Sequence, residues 1–359
     1  MARKLFGFAT LLSLTAAVAA MGLTAAQAET LRLLTWSGYA PDEVVTQFKA
    51  ETGIDVEVTF SNNEEFISKL RATRGAGFDL VQPSQDRIEG PQIEFGIYKP
   101  IDMSKIDTNL FISSMFESTK SVTTVEGKVY GVPHVWGTSG LVLDRSVAGD
   151  VKDYIDLCNG SHSGKISMRL KRPVLIGFAF SLGFDPFSLY GDAAAYTELM
   201  NTVADTLRAC KSQVKTYWEG GDQLISALST GEVTAAMAWD TGGWKLNNEN
   251  PNISFVAPTS GALGWVDTFA LPARGENDEA AYKWINFVMQ PKIAAMITAA
   301  AGNFTASKGA DEFASPKLKA QFKESFPQAA IDNINWYPSV PAGLEDIEGR
   351  ILDRIRASR

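Results

Sequence analysis

Leu31-Arg32-Leu33-Leu34-Thr35-Trp36 opens a stretch, running to Ser84, whose periodicities decide the fold. The six residues read as a first strand. Pro41 to Glu51 follows, with Val44, Val45 and Phe48 at helical spacing. Pro41 suits the first position of a helix, and Gly53 suits the stop after Thr52. Ile54-Asp55-Val56-Glu57-Val58-Thr59-Phe60 alternates as a second strand. Asn63 to Ala72 places Phe66, Ile67 and Leu70 on one helical face, and Phe78-Asp79-Leu80-Val81 is a short buried strand ending at Gln82-Pro83-Ser84. The order β-α-β-α-β is that of an α/β unit with a largely parallel sheet.

A second α/β segment follows. Gly164 to Met168, Val233 to Trp239 and Leu263 to Leu271 read as strands. Pro173 to Leu182, Ala280 to Met289 and Pro291 to Ala300 read as helices. There is no internal repeat, low-complexity tract or long linker, so two lobes would be joined by several short crossings. The length of 359 residues agrees with two units. Ligands of such lobes sit at the carboxyl ends of the strands. Trp36-Ser37-Gly38-Tyr39, Pro83-Ser84-Gln85-Asp86, Trp239-Asp240 and Trp265-Val266-Asp267 all lie just past expected strand ends.

Outside the fold, Arg3 and Lys4, the apolar run Leu5 to Leu23 and Ala26-Gln27-Ala28 have the pattern of a cleaved secretory leader over residues 1–28. No cysteine follows the apolar run, so a lipoprotein anchor is not expected. Cleavage leaves a chain starting at Glu29 with a net charge of about -10. That charge, without a Lys/Arg-rich run, argues against nucleic acid as a partner. Cys158 and Cys210 would meet an oxidising compartment, where they form either one structural disulfide or two separate buried thiols.

Catalytic signatures are missing: there is no G-x-S-x-G, H-E-x-x-H or Walker A pattern, and Gly75-Ala76-Gly77 lacks the third glycine of a dinucleotide fingerprint. His134 and His162 read as structural and as part of a solvated turn. No carboxylates stand at metal-ligand spacing, and no cofactor is implied. In contrast, Trp36, Trp136, Trp239 and Trp265 lie near strand ends beside Gly, Ser, Thr or Asp. An aromatic wall with one carboxylate suits a small organic ammonium ion, through cation-π contact and a charge-assisted hydrogen bond.

The chain resembles the periplasmic spermidine/putrescine-binding proteins of ABC transporters. The resemblance rests on Leu34-Thr35-Trp36-Ser37-Gly38-Tyr39, Phe78-Asp79-Leu80-Val81-Gln82-Pro83-Ser84 and Tyr130-Gly131-Val132-Pro133-His134-Val135-Trp136-Gly137. It continues through Gly231-Glu232-Val233, Met237-Ala238-Trp239, Gly264-Trp265-Val266-Asp267 and Ala280 to Pro291, in order and over essentially the whole mature chain. It implies a type II periplasmic-binding-protein fold: two α/β lobes joined by a hinge, crossing near Thr138-Ser139, near Trp265 to Asp267 and near Asp311. The lobes would then comprise 29–137 with 268–311, and 138–267 with 312–359. It also implies a monomeric, non-enzymatic periplasmic receptor whose partner is an ABC transporter permease in the inner membrane.

Carried over by motif, the aromatic ligand positions are Trp36, Tyr39, Trp239 and Trp265. Ser84 and Asp267 are polar contacts, with Asp267 holding a terminal amine. Three departures stand out. Gly38 replaces an acidic residue of putrescine-type members, Arg169-Leu170-Lys171-Arg172-Pro173 replaces an acidic pair at a helix N-terminus, and Asn303 replaces a tyrosine. A cation at that end disfavours a diamine, while a guanidinium fork and a helix N-terminus favour a carboxylate. The expected solute is therefore a short ω-amino acid such as 4-aminobutanoate, with its ammonium on Asp267 and its carboxylate at Arg169 or Arg172. The alternatives are a polyamine, if the cations form a solvated turn; an oxyanion or metal-chelate binder of the same superfamily; and a periplasmic hydrolase or transferase.

Overall fold

A computed structural model describes Met1 and residues 29–358. The secretory leader read from residues 1–28 lies outside the described residues, apart from Met1.

The first lobe is built on a three-stranded parallel sheet in which Thr30–Thr35 lies between Asp55–Phe60 and Leu80–Val81. Leu31, Leu33 and Leu34 are fully buried, as a central parallel strand covered on both faces requires. The helix Asp42–Thr52 buries Val44 and Phe48 and ends at Gly53, whose φ of 76° places it in the left-handed region and returns its N–H to the Lys49 carbonyl. Asn62 caps Asn63–Thr73 by accepting from the Glu65 N–H, and Phe66 and Leu70 face the core. Helices Asp278–Val288 and Pro291–Ala301 return to this lobe, where Trp284 meets Phe48 edge-on at 5.0 Å.

The second lobe is built on a mixed sheet. Its path runs Asn335–Trp336, Leu263–Phe269, Val132–Asp144, Ala235–Trp239, Ile166–Met168, Val214–Tyr217. The strand Val132–Asp144 is antiparallel to both Leu263–Phe269 and Ala235–Trp239. The sequence reading joined Leu263 to Leu271 as one strand. The structure breaks it with a register shift between Asp267 and Thr268, and Leu271–Pro272 pairs elsewhere, with Tyr98–Lys99. Helices Ala193–Cys210 and Leu344–Ala357 pack on this lobe's core through Tyr196, Met200, Ile351 and Ile355. Of the two readings left open for the cysteines, the disulfide is the one formed: Cys158–Cys210 ties the end of the long helix to the short turn Tyr154–Cys158.

Two adjacent strands run from one core to the other. Val132 and Val135 are buried in the first core, and Leu141 and Leu143 in the second. On the neighbouring strand Phe269 belongs to the first core and Leu263 to the second, while Trp265 packs against both. The candidate site lies along this pair of crossings.

Candidate functional site

At the first-lobe end stands Asp267, on the crossing strand beside the register shift. Ser84 follows the strand Leu80–Val81 and bridges to Asp267. Its Oγ donates to one carboxylate oxygen at 2.6 Å, and the Tyr39 hydroxyl donates to the other at 2.6 Å. Asn63 fixes Ser84 in turn, donating to its Oγ at 2.9 Å and accepting from its N–H at 3.0 Å. Asp267 is 3% exposed and has no cation partner among the described residues. Burial therefore pushes its carboxyl up to about 7, against the two hydroxyl hydrogen bonds that hold it down, with Asp86 nearby adding to the rise.

The surroundings are aromatic. Trp36 donates its indole N–H to the Gln82 carbonyl at 2.8 Å and lies edge-on to Phe66 at 5.3 Å. Tyr39 meets His134 edge-on at 5.4 Å. His134 is buried between Tyr39 and Phe269, with Nδ1 2.5 Å from the Gln82 amide nitrogen, and burial pushes it down to about 3. It is thus a neutral core histidine. His162 pairs with Asp150 at 2.9 Å in the turn after the short segment Tyr154–Cys158.

Gly38 has a structural reason. Its φ is +87°, and a Cβ there would come within 2.9 Å of the Ala301 backbone. An acidic side chain is excluded at this position by backbone conformation and by the neighbouring helix.

At the second-lobe end, Arg169 follows the strand Ile166–Met168. Its guanidinium carbon lies 5.3 Å from the Trp239 ring centroid and 5.4 Å from that of Trp218. Trp218 is held by donating to the Met237 carbonyl at 3.0 Å, and it meets Trp239 edge-on at 5.0 Å. The Arg169 Nε is buried without a hydrogen-bond partner, and the side chain makes no ion pair within 4.0 Å among the described residues. Desolvation lowers its pKa, opposed by the more distant charges of Glu64 and Glu219. A cavity of about 20 Å³, room for roughly one water, is lined by Ser139, Arg169, Pro173, Trp218, Met237, Ala238 and Trp239. Pro173 belongs to the first turn of the helix Arg172–Ser181, so the positive end of that helix faces the same space.

Arg172 is placed differently from Arg169. It is 4% exposed and already engaged: Nη1 donates to Asp86 at 2.7 Å, Nε lies 3.3 Å from Glu348, and Nη2 donates to the Tyr190 hydroxyl. Of the two arginines named from the sequence, Arg169 lines the cavity and makes no ion pair among the described residues, whereas Arg172, although its Nε also lacks a hydrogen bond, is held by two carboxylates.

Trp265 stands between the two ends, its ring lying over Gly137, where a Cβ would meet it at 2.6 Å. Trp136, the fourth tryptophan of the expected wall, is not part of it. Side chains alternate along Val132–Asp144, so Trp136 points to the opposite face and packs with Phe304, Phe322 and Trp336. The register pairs Asp267 with Val135 and Leu263 with Ser139, so the two ends are four residues apart, roughly 13 Å along the strands.

Sequence reasoning noted Asp240 only within Trp239-Asp240 at a strand end and gave it no role. It opens the helix Asp240–Glu249 and accepts from Thr138 N–H at 2.8 Å, Thr138 Oγ1 at 3.0 Å, Thr241 N–H at 2.7 Å and Asn303 Nδ2 at 3.0 Å. Burial raises its carboxyl to about 6 against those hydrogen bonds. It clamps the crossing strand to the second lobe. Asn303, noted in the sequence only as a replaced tyrosine, supplies one of its donors.

Two α/β lobes joined by paired crossing strands, with an aromatic and charged seam at the crossing, are the architecture of a solute-binding protein. The model of the bacterial extracellular solute-binding protein family matches residues 43–324, and this chain belongs to that family. Among characterised relatives, the spermidine/putrescine-binding periplasmic protein of Escherichia coli is 28% identical over 96% of this chain and 98% of its own length. The putrescine-binding periplasmic protein of the same organism is 27% identical over 87% and 86%. Among solved structures, a putative spermidine/putrescine ABC transporter protein from Listeria monocytogenes superposes with a TM-score of 0.79 at 22% identity, over 92% of this chain and all of that one. A structure described as a GABA receptor superposes with a TM-score of 0.68 at 19% identity, over 92% and 97%. At these identities the two structures establish the fold.

Proposed function

We propose that the chain is the periplasmic receptor of an ABC importer and that it captures a short ω-amino acid, with 4-aminobutanoate the first candidate. The observation that carries this reading is a pair of charges at the two ends of the crossing with no ion-pair partner within 4.0 Å among the described residues. Asp267 is a buried carboxylate with no cation, and Arg169 is a half-buried guanidinium with a free donor. A solute carrying both an ammonium and a carboxylate group complements both. Its ammonium sits on Asp267 beside Tyr39, Ser84 and Trp36. Its methylenes lie along Trp265 and Trp239, and its carboxylate meets Arg169 at the helix end. Such a receptor returns its ligand chemically unchanged, which separates it from a hydrolase or transferase. The relatives' names support a periplasmic binding role, and a structural neighbour's name supports an ABC transporter. The proposed lobes are 29–137 with 268–311, and 138–267 with 312–359.

The second reading is a polyamine receptor. The names of the relatives favour it, as does Glu64, a carboxylate under the influence of Arg87 of its own lobe and of Lys171 and Arg169 of the other. Desolvation raises the Glu64 pKa, but those cations outweigh it and keep the group below its usual range. Calorimetric titration of mature protein, freed of co-purified solute, against 4-aminobutanoate and putrescine decides between them. Micromolar binding corresponds to about 8 kcal/mol. Binding of the amino acid alone supports the proposal, and binding of putrescine alone refutes it.

A further inference from the structure

Arg172 is a cation buried inside the protein, and its surroundings suggest a role the solute-binding reading does not assign. It starts the helix Arg172–Ser181 of the second lobe, whereas Asp86 belongs to the short turn after Ser84 in the first. The Nη1 to Asp86 contact of 2.7 Å therefore spans the cleft. Both side chains are almost wholly buried, at 4% and 5% exposure. Glu348, 3% exposed on the C-terminal helix, faces the guanidinium from its own lobe and is held by the Tyr196 hydroxyl at 2.6 Å. The rings of Tyr337 and Tyr190 lie 5.2 and 5.7 Å from the guanidinium carbon. Aromatic rings around a buried cation on two carboxylates form the kind of cage that recognises an organic ammonium ion. Here the occupant is a side chain. The cage is continuous with the solute site: Asp86 lies two residues beyond Ser84, which hydrogen-bonds Asp267, and its charge is felt at Asp267.

We propose that Arg172 is a built-in surrogate for the second ammonium of a diamine, occupying Asp86 and Glu348 so that only a solute with a single amine is accepted. This rests on the reading of Asp267 as the holder of that amine. In Arg172→Ala the guanidinium is gone: Glu348 keeps only the Tyr196 hydroxyl, and Asp86 keeps only Arg87, whose Nε lies 3.5 Å away and which is shared with Glu345. A diamine reaching from Asp267 supplies the missing cation, whereas an amino acid brings a carboxylate toward two others.

The test is calorimetry with putrescine, cadaverine and 4-aminobutanoate on the mature wild type, Arg172→Ala, and the double variant Arg172→Ala/Asp86→Ala. The expected result is at least a tenfold gain in affinity for one of the diamines in Arg172→Ala, abolished in the double variant. No gain in a folded Arg172→Ala protein overturns the proposal, as does a gain that survives loss of Asp86. If Arg172→Ala does not fold, Arg172→Gln fills part of the space with a neutral polar side chain and is judged by the same criterion. Tight putrescine binding by the wild type also overturns the proposal. The solute reading fails separately: if the wild type ignores 4-aminobutanoate but Arg172→Ala gains a diamine, the surrogate stands and the amino acid assignment falls.

Discussion

The Asp267 carboxyl predicts a pH dependence in which stability and ligand affinity move in opposite directions. In the folded protein burial without a cation pushes it up to about 7, against the two hydroxyl hydrogen bonds that hold it down. In the unfolded chain an aspartate titrates near 3.9. Between those values the folded state holds a proton that the unfolded state has lost, so this residue's contribution to stability falls as pH rises from about 4 to 7. The full span is roughly 4 kcal/mol, at 1.36 kcal/mol per unit. An ammonium ligand needs the ionised form. Below about 7, binding must expel that proton, and affinity drops about tenfold per unit of pH. The dissociation constant should be on the order of a hundredfold weaker at pH 5 than at pH 7. Titration calorimetry across pH 5–8, in two buffers of different ionisation enthalpy, reads the affinity and the protons exchanged, with release of about one proton per ligand bound expected near pH 6, while denaturation of the unliganded protein at the same pH values reads the stability. Asp267→Asn should bind weakly with a flat profile. Asp240, which titrates at about 6 in a different hydrogen-bonded setting, is the competing source and would leave the dependence intact in that variant. An affinity flat across pH 5–8, or a profile unchanged in Asp267→Asn, would refute the assignment of Asp267 as the amine's partner.

Arg169→Ala should weaken 4-aminobutanoate by about 2–5 kcal/mol, as loss of one partner of a desolvated charged pair does, and should leave putrescine unaffected or improved; parallel titrations check this. Gly38→Asp, which restores an acidic residue beside Trp36, should fail to create a diamine site. The positive φ costs about 1–2 kcal/mol and the overlap with Ala301 adds to it, so the thermal midpoint should drop without a gain in putrescine affinity. Cys158→Ala/Cys210→Ala opens a covalent loop between residues 52 apart and should cost about 4 kcal/mol of unfolding free energy by the chain-entropy estimate, read from denaturation of the oxidised protein and the double variant.

The first lobe was legible in the sequence because its signals are local. Buried parallel strands read as apolar runs, Gly53 ends its helix in the left-handed region, and Asn62 caps the next. The central strand of the second sheet, Val132–Asp144, was not legible as a strand. It carries Pro133, Gly137 and Gly140, which single-sequence propensity reads as breakers, and its buried His134, Thr138 and Ser139 interrupt the apolar run. Their reasons are distant. Gly137 makes room for the Trp265 ring, and Gly140 for Phe255, each at a built Cβ distance of 2.6 Å. Pro133 is tolerated where the ladder to Leu263–Phe269 shifts register. Because that strand runs straight through the hinge, alternation sends Trp136 away from the cleft. Its nearness to an expected strand end was therefore a poor guide.

The two arginines show the same limit from the side of charge. Both lie in one short basic run, and the sequence alone gave no anchor to choose between them. Their positions relative to the helix differ, however. Arg169 precedes the helix and rests against a pair of touching indole rings with no carboxylate within 4.0 Å among the described residues, so it keeps a donor for a ligand. Arg172 is the first residue of the helix, where the macrodipole is unfavourable to a cation. A buried guanidinium placed against the dipole needs carboxylates to hold it there, and Asp86 and Glu348 provide them from distant parts of the chain. A basic residue at the first position of a buried helix is thus itself a sign that its charge is answered from within the protein. That marks Arg172, but not Arg169, as spoken for before any ligand arrives.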